Sequence, residues 1–440
     1  MWAYKSTFYQ IYPLGFCGAP FENDGRLEHR ILKVMDWIPH IKKLGTTAVY
    51  FSPVFESDTH GYNTRDYKKI DVRLGTNEDF KQVCDALHEQ GIRVVLDGVF
   101  NHVGRGFYQF GDVVKNRENS PFLSWFNINL GGNSNYNDGL WYEGWEGNYD
   151  LVKLNLRNES VINLIFDAVR YWVEYFGIDG LRLDVAYCLD VDFVKRLRRF
   201  TDELGREQGK EIFLVGEMLH GDYSRMVNDE MLHSCTNYEC YKGLYSSFNS
   251  MNMFEINHSL NRQFGNENWC IYRGKHLLSF VDNHDVTRIA SNLSNEKHLP
   301  LIYALLFGMP GIPCVYYGSE WGVKGCKSDG DPALRQCYDA PQWNELTEYI
   351  SRLEAAKKNS NALNFGGFRS VVLTNKQCIF ERRTDDERVL VAVNADEQSY
   401  TAHFDAGCGR AVDLISGREH DFGGGSLLEP YSAYYWKCEL

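Results

Sequence analysis

The chain is short of several things, and each shortage removes a class of function. Its 440 residues carry a formal net charge of −13, with a pI near 5.5. A basic face for phosphate neutralisation is therefore missing, and nucleic acid is not an expected partner. No run approaches the ~20 apolar residues that span a bilayer, so no membrane association is expected. The first residues, MWAYKSTFYQIYPLGF, lack a basic stretch followed by an apolar core. That pattern predicts no secretory leader and a cytoplasmic location. The 12 cysteines are scattered, and none forms a CxxC pair. A zinc site is not expected, and the thiols read as free in a reducing compartment. No internal repeat or low-complexity tract stands out.

Aromatic residues are abundant, at 14% (10 Trp, 27 Tyr and 26 Phe). Such rings fill cores and also form flat ligand platforms, and composition does not separate the two roles. The length predicts two or three domains.

Four segments each end an apolar run at an acid or imidazole: Val94–His102 (VVLDGVFNH), Gly180–Tyr187 (GLRLDVAY), Ile212–Met218 (IFLVGEM) and Leu277–Asp285 (LLSFVDNHD). Helical patterns separate them, at Ile31–Leu44, Asn77–Gln90, Val161–Phe176, Val191–Gln208, Leu299–Phe307 and Leu346–Lys358. The order predicts an α/β fold, a (β/α)8 TIM barrel with acids on its C-terminal rim, where such barrels place their active sites. The expected strands are Thr7–Tyr12, Ala48–Phe51, Arg93–Val99, Gly180–Leu183, Phe213–Gly216, Cys235–Tyr238, Leu277–Val281 and Ile312–Tyr316. An aromatic-rich stretch, 103–156, interrupts the rhythm after strand three and would roof the rim. From about Phe365, short alternating runs predict a C-terminal antiparallel β-domain. The expected boundaries are 1–102 and 157–360 for the barrel, 103–156 for the insertion and 361–440 for a C-terminal β-sandwich.

Three rim acids, Asp184, Glu217 and Asp282, end strands four, five and seven. Paired carboxyl groups are what glycoside hydrolysis uses, one as nucleophile and one as acid. Arg182 shares a strand face with Asp184 and would hold it ionised. Glu217 has no adjacent basic residue, which suits a proton donor. His102 and His284 stand beyond strand ends and can reach substrate hydroxyls. Any single acid at a βα junction is equally a helix cap, and Tyr62 or Trp145 alone is equally core packing. A divalent-metal site is the competing chemistry, but no HxH follows the first strand and each histidine stands beside an asparagine, so no metal ligand set is assigned.

At these residues the chain resembles the α-amylase family, glycoside hydrolase family thirteen, over nearly its whole length. Four motifs occur in family order: DGVFNH, GLRLDVAYC, GEML and FVDNHD. The resemblance implies that Asp184 is the nucleophile, Glu217 the acid/base and Asp282 the transition-state stabiliser. It implies that Arg182, His102 and His284 contact the sugar at the cleavage point, that Tyr62 stacks under it, and that Asp331 and Arg335 grip the next sugar. LVKLN (Leu151–Asn155) resembles the signature of the neopullulanase and oligo-glucosidase side. Val286 stands where many members cleaving α-1,6 links carry Gln, which implies α-1,4 cleavage. With the first strand expected near Thr7, no counterpart of the N-terminal domain typical of neopullulanases is expected, and no oligomeric state is implied.

The pattern departs from the family at Tyr187 and Cys188, which replace a usual Lys-His, and at Asn63, where many members have Asp. Asn101 matches a family calcium ligand, so the resemblance implies calcium as an optional ion and no required cofactor. The expected function is retaining hydrolysis of α-1,4 bonds in maltooligosaccharides and maltodextrins through a covalent glycosyl-enzyme intermediate. The alternatives are a transglycosylase (glucanotransferase) on α-glucans and a catalytically silent glycan-binding protein.

Overall fold

The structure is a computed structural model that describes residues 1–439. Eight strands form one parallel sheet: β1 (Phe8–Ile11), β2 (Ala48–Phe51), β3 (Arg93–Gly98), β4 (Gly180–Leu183), β5 (Phe213–Gly216), β6 (Ser234–Cys235), β7 (Leu278–Phe280) and β8 (Ile312–Tyr316). Their order is β6-β5-β4-β3-β2-β1-β8-β7. A parallel bridge between Thr236 and Leu278, with Asn237 N donating to Leu278 O at 2.8 Å, closes the sheet into a barrel. Every residue of β4, β5 and β8 is buried, because helices cover the outer face and side chains fill the inner one.

Local signals set the helix ends. Thr76 and Asp79 form a reciprocal capping box for Asn77–Glu89, and Asn344 with Thr347 does the same for Glu345–Lys358. Asn158 and Asp190 cap Glu159–Tyr171 and Val191–Glu207. The expected sixth strand is shorter than Cys235–Tyr238. The Asn237 side chain accepts from Cys240 N at 3.1 Å and starts the helix Tyr238–Asn249, so Tyr238 leaves the sheet. A second helix, Phe254–Phe264, follows within the same unit, and the sequence reading does not anticipate it.

After β3 the chain builds a small sheet in which Asn148–Lys153 runs antiparallel to His102–Gly104 and to Gly144–Trp145. Phe110, Phe126 and Tyr142 meet edge to face at 4.8–5.4 Å beneath it. Much of the aromatic excess in this stretch is therefore its own core. Gly104 lies where a Cβ would stand 2.4 Å from Asn63 O, so only glycine lets this sheet meet the loop that carries Tyr62.

At the C-terminus, six antiparallel strands run in the spatial order 367–373, 377–383, 388–394, 432–438, 410–413, 419–421, beside a two-stranded pair, 400–402 with 426–428. The helix Leu299–Gly308 joins this sheet to the barrel. It is apolar all round because it is covered on both sides. Tyr435 Oη donates to Ala304 O at 2.5 Å, and Arg382 Nη1 donates to Gly308 O at 2.9 Å. All 12 cysteines are free thiols. Among the described residues no helix is long and apolar enough to cross a membrane.

Candidate active site

At the C-terminal rim lies a cleft of 420 Å3 lined by Tyr62, His102, Asp184, Glu217, Asp331 and Arg335. Asp184 and Glu217 follow the paired residues Leu183 and Gly216 of β4 and β5. Neighbouring strands lie ~4.8 Å apart, so the two acids leave adjacent strands at the same level of the rim. A single guanidinium serves both. Arg182 reaches Asp184 Oδ1 at 2.8 Å, Glu217 Oε1 at 2.8 Å and Asp97 at 3.1 Å. The contrast expected from local sequence, with Arg182 on Asp184 alone, does not hold.

Burial raises the pKa values of both Asp184 and Glu217, against the pull of Arg182. Burial likewise lifts Asp97 to about 7. Asp97 accepts from Tyr50 Oη at 2.9 Å and Tyr62 Oη at 3.1 Å. Val185, directly after Asp184, stands in the left-handed region at φ 39° and ψ 49°, costly for a β-branched residue. That conformation points its N–H at Glu217 Oε2, 3.0 Å away.

The two histidines flank the pair. His102 Nδ1 lies 3.1 Å from Asn101 Nδ2, while its buried Nε2 has no hydrogen-bond partner and stands 3.8 Å from Asp184 Oδ2. His284 Nδ1 accepts from Gln10 Nε2 at 2.8 Å, which leaves Nε2 to face Tyr62 Oη and Asp285. Its ring stacks between Tyr12 and Tyr62 at 5.8 and 5.6 Å. Burial holds both histidines neutral, at about 3. Asn63 binds Thr59 N and Thr59 Oγ1 at 2.9 and 2.8 Å, so it braces the Tyr62 loop.

The third carboxylate of the cleft is not Asp282. That residue is 1% exposed and turns behind the rim, where its Oδ2 accepts from Ile289 N and Ser319 Oγ, each at 2.7 Å. Asp285 lines the cleft instead. Burial opposes its ionisation, but His284 and Arg335 bring its pKa down to about 2. Arg335 Nη2 lies 3.0 Å from both Asp285 Oδ1 and Asp331 Oδ2. His60, Trp145, Tyr238 and Lys327 are further wall residues to which the sequence reading assigns no site role.

Asn101, the family calcium position, lies in a neighbouring cavity of 400 Å3 with Glu143, Lys153, Arg157, Cys188 and Asp190. The donor set does not fit a divalent ion. Lys153 Nζ sits 2.6 Å from Glu143, and Arg157 Nε sits 2.8 Å from Asp190, so each carboxylate already holds a cation. Among the described residues no group of three His, Cys, Asp or Glu side chains is placed to hold a metal.

The catalytic-domain profile of α-amylase matches residues 10–365. The chain belongs to the α-amylase family. It is an enzyme of that family by its barrel, its C-terminal sheet and its rim. It is 29% identical to a cyclomaltodextrinase from Bacillus sp over 91% of this chain and 74% of that protein. It is also 29% identical to an intracellular maltogenic amylase from Bacillus subtilis (strain 168), over 89% of this chain and 68% of that one. Among solved structures, a cyclic α-maltosyl-(1→6)-maltose hydrolase from Arthrobacter globiformis, in complex with that cyclic sugar, superposes with a TM-score of 0.81 at 27% identity. That superposition covers 99% of both chains.

Proposed function

We propose that this α-amylase-family enzyme hydrolyses α-1,4-glucosidic bonds of maltooligosaccharides with retention, through a glycosyl-enzyme intermediate. The observation that carries the reading is the Asp184–Glu217 pair, on adjacent strands and bridged by Arg182. Two carboxyl groups bound to the two nitrogens of one guanidinium, at 2.8 Å each, are close enough to suit the ~5–5.5 Å separation of retaining enzymes. Asp184 attacks the anomeric carbon as the Glu217 proton passes to the glycosidic oxygen, and the leaving sugar departs as an alcohol. Water then attacks the glycosyl ester, gives its proton back to Glu217 and frees Asp184. Asp285 takes the stabilising role that the resemblance assigned to Asp282. Its charge lies in the cleft, where positive charge develops on the sugar. The free Nε2 of His102 meets a sugar hydroxyl, and the Tyr62 ring lies under the sugar.

The relatives are named a cyclomaltodextrinase and an intracellular maltogenic amylase, which supports an α-glucan substrate and a cytoplasmic location. No metal is required in this reading, because Lys153 and Arg157 supply the positive charge at the calcium position. Digests of maltoheptaose and pullulan, with Asp184→Asn as control, test it. Shorter maltooligosaccharides from the wild type alone support hydrolysis. Products longer than the starting sugar move the assignment to glucan transfer, and no turnover of either polymer overturns it.

A further inference from the structure

The catalytic cleft does not stop at Glu217. Leu219, two residues further along the chain, and Tyr238, at the start of the helix Tyr238–Asn249, each line both the cleft and a second cavity of 710 Å3. That second cavity runs between two helices packed closely at Gly243, where a Cβ would meet Ile256 Cδ1 at 3.3 Å. Tyr238 and Lys242 lie one turn apart on the first helix, and Phe254 and His258 lie one turn apart on the second, so each pair shares a face. All four side chains line the groove. Phe254 is 47% exposed although it is a large apolar ring. An exposed ring that shares a groove with the His258 imidazole and with a Lys242 ammonium paired to Glu255 at 3.1 Å is a surface that suits the flat apolar face and hydroxyl edge of a pyranose.

Chemistry gives the direction. In the proposed reaction the acid protonates the leaving oxygen, so the leaving part of the substrate lies on the Glu217 side. The groove opens on that side through Leu219. We infer that it is an extended binding site for the leaving portion of an α-glucan chain, with Phe254 as its distal platform. This rests on the proposed hydrolytic reading, because only the acid role of Glu217 gives the groove its polarity.

Calorimetric titration of a Glu217→Gln variant with maltotriose and with maltoheptaose reads the groove without turnover. The expected preference for the longer sugar is about five-fold, within the range of one aromatic platform. Phe254→Ala in the same background brings that ratio close to one, and His258→Ala lowers it part of the way. Circular dichroism and melting show that each variant is folded. A ratio of one in Glu217→Gln, or a ratio untouched by Phe254→Ala and by His258→Ala, overturns the groove. Failure of the wild type to cleave any α-glucan removes the reaction, whereas the binding ratio still decides the groove.

Discussion

Asp282 and Asp285 lie three residues apart, and their surroundings are opposite: one is buried behind the rim and the other lines the cleft. Asp285 carries a full charge in the cleft, paired with Arg335 and His284. A unit charge ~4 Å from the positive charge developing on the sugar contributes about 4 kcal/mol at an effective dielectric of ~20. Its removal in Asp285→Asn therefore lowers kcat by about 10³-fold. The fold is retained, since an asparagine oxygen still accepts from Arg335. Asp282→Asn behaves differently. The oxygen facing Ile289 N and Ser319 Oγ survives, but an amide NH2 replaces the buried Oδ1, which has no partner. The expected cost is about 1–3 kcal/mol of stability, with kcat within a few-fold of the wild type. Reducing-end release from maltoheptaose and urea denaturation separate the two effects. A kcat loss near 10³-fold in a well-folded Asp282→Asn, beside an active Asp285→Asn, refutes the reasoning.

Three other outcomes follow from the site. His102 has its pKa held at about 3 when folded, against ~6.5 unfolded. The unfolded chain therefore binds a proton that the folded chain refuses as pH falls through that window. Relative to His102→Gln, the wild type should lose about 2 kcal/mol between about pH 7 and about pH 5 in urea titrations; a constant gap contradicts the burial argument. Asp97 repels the ionised form of Glu217, so Asp97→Asn should shift the alkaline limb of kcat/KM to lower pH, and an unmoved limb shows that the two do not communicate. A chelator should leave Tm and activity unchanged; a chelator-sensitive Tm points to a metal that the donor set does not suit.

The barrel was legible where burial on both faces made unbroken apolar runs between breakers. Strands β2, β4, β5 and β8 begin and end at the residues expected from sequence. It was least legible at β6, where an asparagine cap competes with the strand. Alternation also identified Arg182 correctly as an inward neighbour of Asp184. It could not show that the same fork reaches Glu217, because that contact crosses between strands separated by the helix 191–207. The misplacement of the third acid has a similar cause. Past Phe280, the last residue of β7, the chain turns, with Asp285 N donating to Asn283 Oδ1 at 2.8 Å. Period-two reasoning ends where the strand ends, so the first acid of VDNHD looked like the rim acid, although the last one is.

What the fold adds to the motif is the sharing of charge. Asp97, Asp184 and Glu217 crowd one guanidinium, and burial raises all three carboxyl groups. One positive charge does not stabilise three buried negative ones, and burial favours the protonated form of each carboxyl group. In the proposed reaction, position separates nucleophile from acid more than any private environment of either group. Asp184 stands 3.8 Å from His102 Nε2, and Glu217 shares the cleft with Leu219 and Tyr238, which also line the second cavity. In the proposed reaction the proton acts when it sits on Glu217, and the backbone turn at Val185, whose N–H donates to Glu217 Oε2 at 3.0 Å, holds that carboxyl group in place.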